Sequence, residues 1–370
     1  MRRSLRPIIT FFGILLSAAY PSHAQTLPEE GVATDDAAQA EDVAAPPIPA
    51  EDIGLRAFVQ TLRPRALAMG ISAPLFDSTV PTLAYSARVI RLDRNQPGGS
   101  AAQAPSASPD FAPYLQSHVD AARINRGRSR YTGLRPLLGT IEGRTGVPEQ
   151  VMLAIYGHET GYGTFTGNFD LVNSLATLAY EGRRRELFAG EFLNALLLIQ
   201  RGIPRSTLKG SWAGATGYPQ FLPSVYLRVG MDGNGDGRID IWNSEPDALA
   251  SIGNYLRDAG WKPDVPWGVA VRVPDNIDRA ALRSPMTSPR CPRVFARHSR
   301  FLTIGEWRRQ GLMMLGGPVP ADDELAALIE PDGPGRTGYL VTTNYRSILD
   351  YNCSNFYALS VGLLADAIVN

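Results

Sequence analysis

The stretch at residues 154–163, AIYGHETGYG, holds the side chain best placed for acid catalysis. Residues 148–156 pattern as an amphipathic helix, with Val151, Met152 and Ile155 inward. Glu159 follows on the same inward face, and Gly161 and Gly163 end the helix. A carboxyl at a helix C-terminus meets the negative end of the dipole, and partial burial disfavours its charged form. Both effects keep the proton on, as a group that protonates a glycosidic leaving oxygen requires. The same spacing describes a glutamate that caps a turn or pairs with an arginine, and spacing alone favours that plainer reading.

Residues 210–224, GSWAGATGYPQFLPS, set small and flexible positions around two aromatics and a glutamine. Such a loop lets a long polar ligand approach the backbone. Trp212 and Tyr218 could face sugar rings, and Ser211 and Gln220 could donate or accept hydrogen bonds. A tight, buried helix–loop–helix corner fits the segment equally well.

Residues 232–243, DGNGDGRIDIWN, follow the EF-hand pattern of oxygen donors at alternate positions around a central glycine. Asp232, Asn234, Asp236, the Arg238 carbonyl and Asp240 would be the ligands, with Gly237 at the sharp turn. Hard oxygen donors in this array suit Ca²⁺. Asn243 cannot supply the usual bidentate carboxylate, and Asp247, at the start of the next helix, could replace it. The alternative is a Gly/Asp turn without metal. One such loop argues for a structural ion rather than a sensor. Residues 350–358, DYNCSNFYA, place Tyr351, Asn352 and Tyr357 at the start of a helix, which alone reads as the edge of a core.

The elements that must position these groups are mostly helical. Residues 53–69 have helical spacing with Leu55, Phe58, Val59 and Leu62 on one face. Further helices are expected at 134–145, 148–160, 171–179, 183–201 and 247–259, with Leu193, Leu196, Leu197 and Gln200 marking the buried side of the fifth of these six. After Trp261 the chain is rich in valine, proline and glycine; 265–273 and 338–343 read as strands and 356–368 as helix. Residues 96–109 read as a loop. The fold class is mainly α (α+β). The expected division is residues 51–260 helical, 261–345 a small β-containing lobe, and 346–370 a C-terminal segment.

Hydrophobic residues make up 44% of the 370 and charged residues 19%, which supports a packed core. Formal net charge is zero, so nucleic acid is not the expected partner. Arg2, Arg3 and Arg6, a short apolar run at 8–19 and Ser22-His23-Ala24 form an export signal over residues 1–24. No cysteine follows for a lipid anchor, so a soluble exported protein without a membrane anchor is expected. Residues 25–50 are Ala-, Pro- and acid-rich and read as a flexible leader. The only cysteines, Cys291 and Cys353, suggest one disulfide in an oxidising compartment; two buried thiols are the alternative.

The four segments, in this order, resemble the membrane-bound lytic murein transglycosylase B family and its soluble relatives, from about residue 51 onward. The match runs through Glu159-Thr160 with Tyr162-Gly163, then 174–185 (SLATLAYEGRRR), 210–224, the EF-hand-like loop, and 247–261. The resemblance implies a lysozyme-like helical core with an added α lobe and a small β lobe. It implies Glu159 as a single acid/base; Ser211 and Gln220 beside it; Tyr255 in the active site; Tyr351, Asn352 and Tyr357 closing the cleft; and Tyr114 as a further cleft tyrosine. It implies a periplasmic enzyme that cuts peptidoglycan strands between MurNAc and GlcNAc, leaves 1,6-anhydro-MurNAc ends and uses no organic cofactor. The chain departs from the pattern at Thr216 and Leu222, read as packing changes, and at His158, which either tunes the acid's environment or points to solvent, the second being the expectation. No appended wall-binding domain is expected. The rival readings are a hydrolytic muramidase, which needs a second carboxylate (Asp170 being the nearest later acid), and a non-catalytic glycan-binding scaffold.

Overall fold

The computed structural model describes residues 48–95, 110–181, 183–285 and 291–370. The expected export signal, nearly all of the leader and the 96–109 loop lie outside them.

The first helices build a lobe of their own. They are α1 (Ala50–Gln60), α2 (Arg63–Ala68), α3 (Ala73–Thr79) and α4 (Ala87–Arg94). The single helix expected over 53–69 is in fact two. Pro64 lacks an N–H and its ring would meet the carbonyl four residues back, so the helix stops and restarts with Pro64 in its first turn. Ser72 and Ser86 cap α3 and α4 by accepting the amides of Leu75 and Val89. Later in the chain, α8 (Leu171–Glu181) and α9 (Arg185–Gln200) return to this lobe and share its core with Leu55, Val59, Phe76 and Ile90. The buried side of α9 is Phe192, Leu193, Ala195, Leu196 and Leu198; Leu197 is half-buried and Gln200 exposed. The face is rotated from the expected one because α9 packs on both α8 and α10 (Pro223–Val229). Arg183 and Arg184 both reach the buried Asp93 of α4, which gives the arginine run a structural purpose.

The second core surrounds α7 (Glu149–Thr160) with α5 (Phe111–His118), α6 (Ala121–Thr145), α11 (Glu245–Asp258), α14 (Thr343–Tyr351) and α15 (Asn355–Val369). α6 begins at Ala121, well before the expected 134, with Asp120 capping it through the Arg123 amide. Residues 151–157 of α7 are buried without exception, so this helix is central rather than amphipathic.

The sheet separates the second core from a third. Its antiparallel order is β4 (Leu302–Thr303), β6 (Leu325–Ile329), β7 (Gly338–Thr342), β3 (Gly268–Arg272), β5 (Met313–Met314). Alternation divides its side chains: Ala327, Ile329, Tyr339 and Val341 face the helices, while Val271, Ala326, Leu328 and Leu340 face Ile304 and Trp307. Two short helices, α12 (Pro292–Phe295) and α13 (Ile304–Arg309), lie in the stretch expected to be β-containing. A further strand pair, β1 (Phe169–Asp170) with β2 (Lys209–Gly210), holds the loops flanking α8 and α9 together. Cys291 and Cys353 are bridged, with their Cα atoms 5.6 Å apart, within the range a disulfide spans.

Candidate active site

The site begins at the end of α7. Gly161, Tyr162 and Gly163 all have positive φ (59°, 62° and 83°), so the chain reverses sharply just after Glu159. Glycine adopts this region freely, whereas Tyr162 does so at a cost of about 1–3 kcal/mol. Its ring explains why it stays there. A Cβ on Gly157 would lie 2.6 Å from that ring and one on Gly127 2.5 Å from its hydroxyl, so the phenol fills the space both glycines leave between α6 and α7.

Glu159 is half-buried on the last turn of α7. Its Oε1 accepts a hydrogen bond from the Tyr357 hydroxyl at 2.6 Å. Burial pushes the carboxyl up to about 7, against the opposing pull of that bond. Among the described residues Glu159 forms no ion pair, so the arginine-partner alternative is not what the side chain does. The Tyr357 phenol is itself held far above the ordinary tyrosine value by burial and by the Glu159 charge, and it stays a donor. Asp170, the nearest later acid, is occupied elsewhere: it pairs with Arg205 at 3.0 Å and accepts the Asn173 amide at the start of α8.

The C-terminal cluster is arranged differently from its sequence reading. Tyr351 ends α14 and Asn352 caps that end, while Tyr357 opens α15 one turn beyond its Ser354 cap. Two helices therefore meet here, because the disulfide at Cys353 and the extended backbone of Asn352 break the run. The Tyr351 hydroxyl donates to the Pro219 carbonyl. Its ring centre lies 4.7 Å from that of Tyr255, whose own hydroxyl donates to the Asp350 carbonyl at 2.9 Å. Asn352 is buried. Tyr114, on α5, stacks on His118 at 3.8 Å and lies near enough to feel the Glu159 charge; burial pushes it up to about 12.

The 210–224 loop proves mostly structural. Trp212 is 3% exposed and belongs to the first core, so it cannot face a sugar. Tyr218 is half-buried, and its carbonyl accepts the Thr160 hydroxyl at 3.2 Å, which docks the loop on the end of α7. The Ser211 hydroxyl accepts the Ala215 amide. Gln220, at φ 51°, donates to the carbonyls of Thr166 and Gly217. Gln220 thus ties the loop to the segment after Glu159, while Ser211 closes the loop on itself. Thr216 does more than fill space: its hydroxyl donates to the Lys209 carbonyl and accepts the Trp242 indole N–H. Leu222 is buried at the start of α10.

His158 does not point to solvent. Its Nδ1 lies 3.0 Å from the Ala154 carbonyl and its Nε2 2.8 Å from the Ser360 hydroxyl. That contact spans 202 positions, and no local pattern announces it. Two polar partners at the same end of the molecule were also not anticipated. Tyr156 donates to Glu245 at 2.9 Å, and Glu245 in turn pairs with Arg130.

The acidic loop folds around its own backbone. Asp232 accepts the amides of Gly235 and Gly237, Asn234 that of Asp236, and Asp236 that of Arg238. Gly235 and Gly237 sit at φ 80° and 82°, where other residues are strained. Asp240 accepts the amides of Trp242 and Asn243, and the buried Asp247 receives the amides of Gly233 and Asp240, clamping the two sides of the loop. Among the described residues no three acidic, histidine or cysteine side chains converge as a metal cluster. The donors are nonetheless all hard oxygens, and the turns at Asp232, Asn234 and Asp236 fit a Ca²⁺ loop rather than a transition-metal site.

Residues 54–366 match the family model described as a transglycosylase SLT domain. The chain is 30% identical over 289 residues to the membrane-bound lytic murein transglycosylase B of Escherichia coli K12, covering 76% of this chain and 73% of that protein. Its fold is similar to that of SltB3 from Pseudomonas aeruginosa in complex with NAG-anhNAM-pentapeptide. That similarity has a TM-score of 0.74 and 36% identity, over 85% of this chain and 80% of the other. The Escherichia coli lytic transglycosylase Slt35 in complex with calcium gives a TM-score of 0.67 at 25% identity, over 85% and 92% of the two chains.

Proposed function

Since the chain belongs to the transglycosylase SLT domain family, we propose that it is a lytic transglycosylase that cuts the MurNAc–GlcNAc β-1,4 bond of peptidoglycan and leaves 1,6-anhydro-MurNAc ends. The observation that carries this reading is Glu159: a carboxyl held near 7, partnered by a phenol and, among the described residues, by no second carboxylate. One group must then act first as acid and then as base. Glu159 gives its proton to the glycosidic oxygen as the C1–O bond breaks. The substrate's own N-acetyl oxygen stabilises the cation at C1. The Glu159 carboxylate then takes the proton of the MurNAc C6 hydroxyl, whose oxygen bonds to C1. No water enters. An attacking hydroxyl on the same sugar has the advantage of effective molarity. The Tyr357 bond favours the charged carboxylate between the two steps.

Mass spectrometry of peptidoglycan digested with the enzyme tests the proposal. Muropeptides one water lighter than hydrolysed ones, without reducing ends, are expected. Reducing ends would make the enzyme a muramidase, and binding without release would make it a scaffold.

The acid step requires protonated Glu159, which fixes the sign of the pH dependence. kcat/KM should be flat below about 7 and fall about tenfold per pH unit above it. A profile still flat at pH 9 would show that another group supplies the proton.

We further propose that Asp232, Asn234, Asp236, Asp240 and the Arg238 carbonyl hold a structural Ca²⁺; Asp247, expected as the replacement ligand, is instead buried with both carboxylate oxygens taken by the Gly233 and Asp240 amides, and braces the loop. Calcium at about a hundredfold over its dissociation constant would add about 2.7 kcal/mol to stability. Chelation should therefore lower the melting temperature by about 4 °C and leave the product masses unchanged; an unmoved melting curve would count against the ion. The Arg2/Arg3/Arg6 signal supports export to the periplasm, and among the described residues no helix is long and apolar enough to cross a membrane.

A further inference from the structure

His158 is the neighbour of Glu159 in the chain, but its contacts lead away from the carboxyl and onto α15. Its Nδ1 faces the Ala154 carbonyl at 3.0 Å, which only an Nδ1–H can satisfy. In the neutral ring Nε2 is then an acceptor, and the Ser360 hydroxyl lies 2.8 Å from it. The Ser360 hydroxyl carries one proton and has two acceptors in reach, this nitrogen and the Tyr357 carbonyl 2.9 Å away, one turn back on the same helix, so it donates to one of them at a time. The imidazole meets the Tyr357 ring edge-on, with centres 5.6 Å apart and planes at 79°. His158 thus touches the turn of α15 that carries the one phenol bonded to Glu159, and it walls in one side of that phenol's ring.

The groups around it keep the imidazole in this neutral form. Arg123 of α6 and His118 of α5, its ring 6.2 Å away, both oppose a second proton, and burial opposes it more strongly; the ring is held down at about 3. Tyr114 of α5 and Tyr357 of α15 remain phenols. Glu159 is held near 7, and burial lowers His118 from the ordinary histidine value.

We propose that His158 is a positioning residue for the acid: through Ser360 and the edge of the Tyr357 ring it holds the Tyr357 hydroxyl on the Glu159 carboxylate. The inference rests on the reading of Glu159 as the acid. It follows that loosening His158 weakens a bond that favours the charged carboxylate. Glu159 then keeps its proton to higher pH, and its orientation is less well fixed.

The test is the pH profile of strand cleavage in His158→Val, Tyr357→Phe and the double variant. His158→Val should lower kcat about tenfold with little change in KM and move the alkaline limb up by about half a pH unit. Tyr357→Phe should move the limb further, and adding His158→Val to it should move it no more. His158→Gln, whose amide can still reach Ser360, should keep the wild-type limb. A limb unmoved by His158→Val, or one whose shifts add in full in the double variant, would overturn the proposal. Should His158→Val fail to fold, Ser360→Ala carries the same two outcomes. Glu159→Gln in the same series separates the two ideas. If it stays active, the acid assignment itself is wrong; if it is inactive and the shifts are additive, only the role of His158 falls.

Discussion

Glu159→Gln is expected to lower strand cleavage by at least about a thousandfold while leaving glycan binding within a few-fold of wild type. Glutamine keeps the shape of the side chain and can still accept the Tyr357 hydroxyl, but it has no proton to give and no charge with which to take one. Both halves of the proposed reaction fail together. Turnover measured beside a pull-down on insoluble peptidoglycan would separate chemistry from binding, and substantial residual cleavage would remove Glu159 from the mechanism. The same variant carries a stability signature. Burial lifts the folded-state carboxyl from 4.5 to about 7, so the folded protein holds this proton more tightly than the unfolded chain does. That contribution is complete below about 4.5 and is lost as pH rises through about 7. Glu159→Gln should therefore match wild type at pH 4.5 and melt higher at pH 8, by an amount worth about 1–3 kcal/mol. Equal melting temperatures at pH 8 would mean that the carboxyl is better solvated than its surroundings imply.

Removing the Cys291–Cys353 bridge should produce the largest loss of stability of any small change. The bridge closes a loop of 62 residues, for which chain entropy predicts about 4 kcal/mol and a fall in melting temperature on the order of 10 °C. Its position adds a functional cost. Cys353 lies between Asn352, which caps α14, and Ser354, which caps α15 one turn before Tyr357. The tether therefore fixes the joint between the two helices on which Tyr351 and Tyr357 ride. Reduced protein, or the Cys291→Ser/Cys353→Ser variant, should lose kcat as well as stability at a temperature where it is still folded. A melting curve indifferent to reductant would show that the joint is held without the bridge.

What was legible in the sequence was local. The end of α7 could be placed because two glycines follow Glu159, and β3 and β7 could be placed because valines and turn residues mark them, whereas β6, with its Leu-Ala-Ala-Leu-Ile run, gave no such signal. The start of α6 could not. Its residues 121–133 include several arginines and two glycines and show no apolar stripe, and they are helical because Asp120 caps them and α7, α11 and α15 pack on the rest. The site divided in the same way. Glu159 was found by its place on a helix, but the group that tunes it, Tyr357, lies 198 positions away and reached the list only through the family resemblance. Trp212 was left open between sugar and core, and His158 was misread, because an indole and an imidazole look much the same in sequence whether they face a ligand or a core. The placement of His158 depends on α15, which approaches from a distant part of the chain.

The phenol of Tyr162, wedged where Gly127 and Gly157 lack side chains, makes three positions one unit of variation. The thickness of that ring sets the spacing between α6 and the helix that carries the acid. A methyl group at 127 or 157 would meet the ring well inside contact distance, and α7 would have to tilt unless residue 162 shrank. Natural variants of this enzyme should therefore trade these positions together, with a side chain appearing at 157 only where the aromatic at 162 is gone, and at 127 only where Ile368, 2.7 Å from a Cβ there, has changed as well. Random libraries would find each single change harmful and the compensated 157/162 pair tolerated, so that the aim of the Glu159 carboxyl is inherited as a combination of residues.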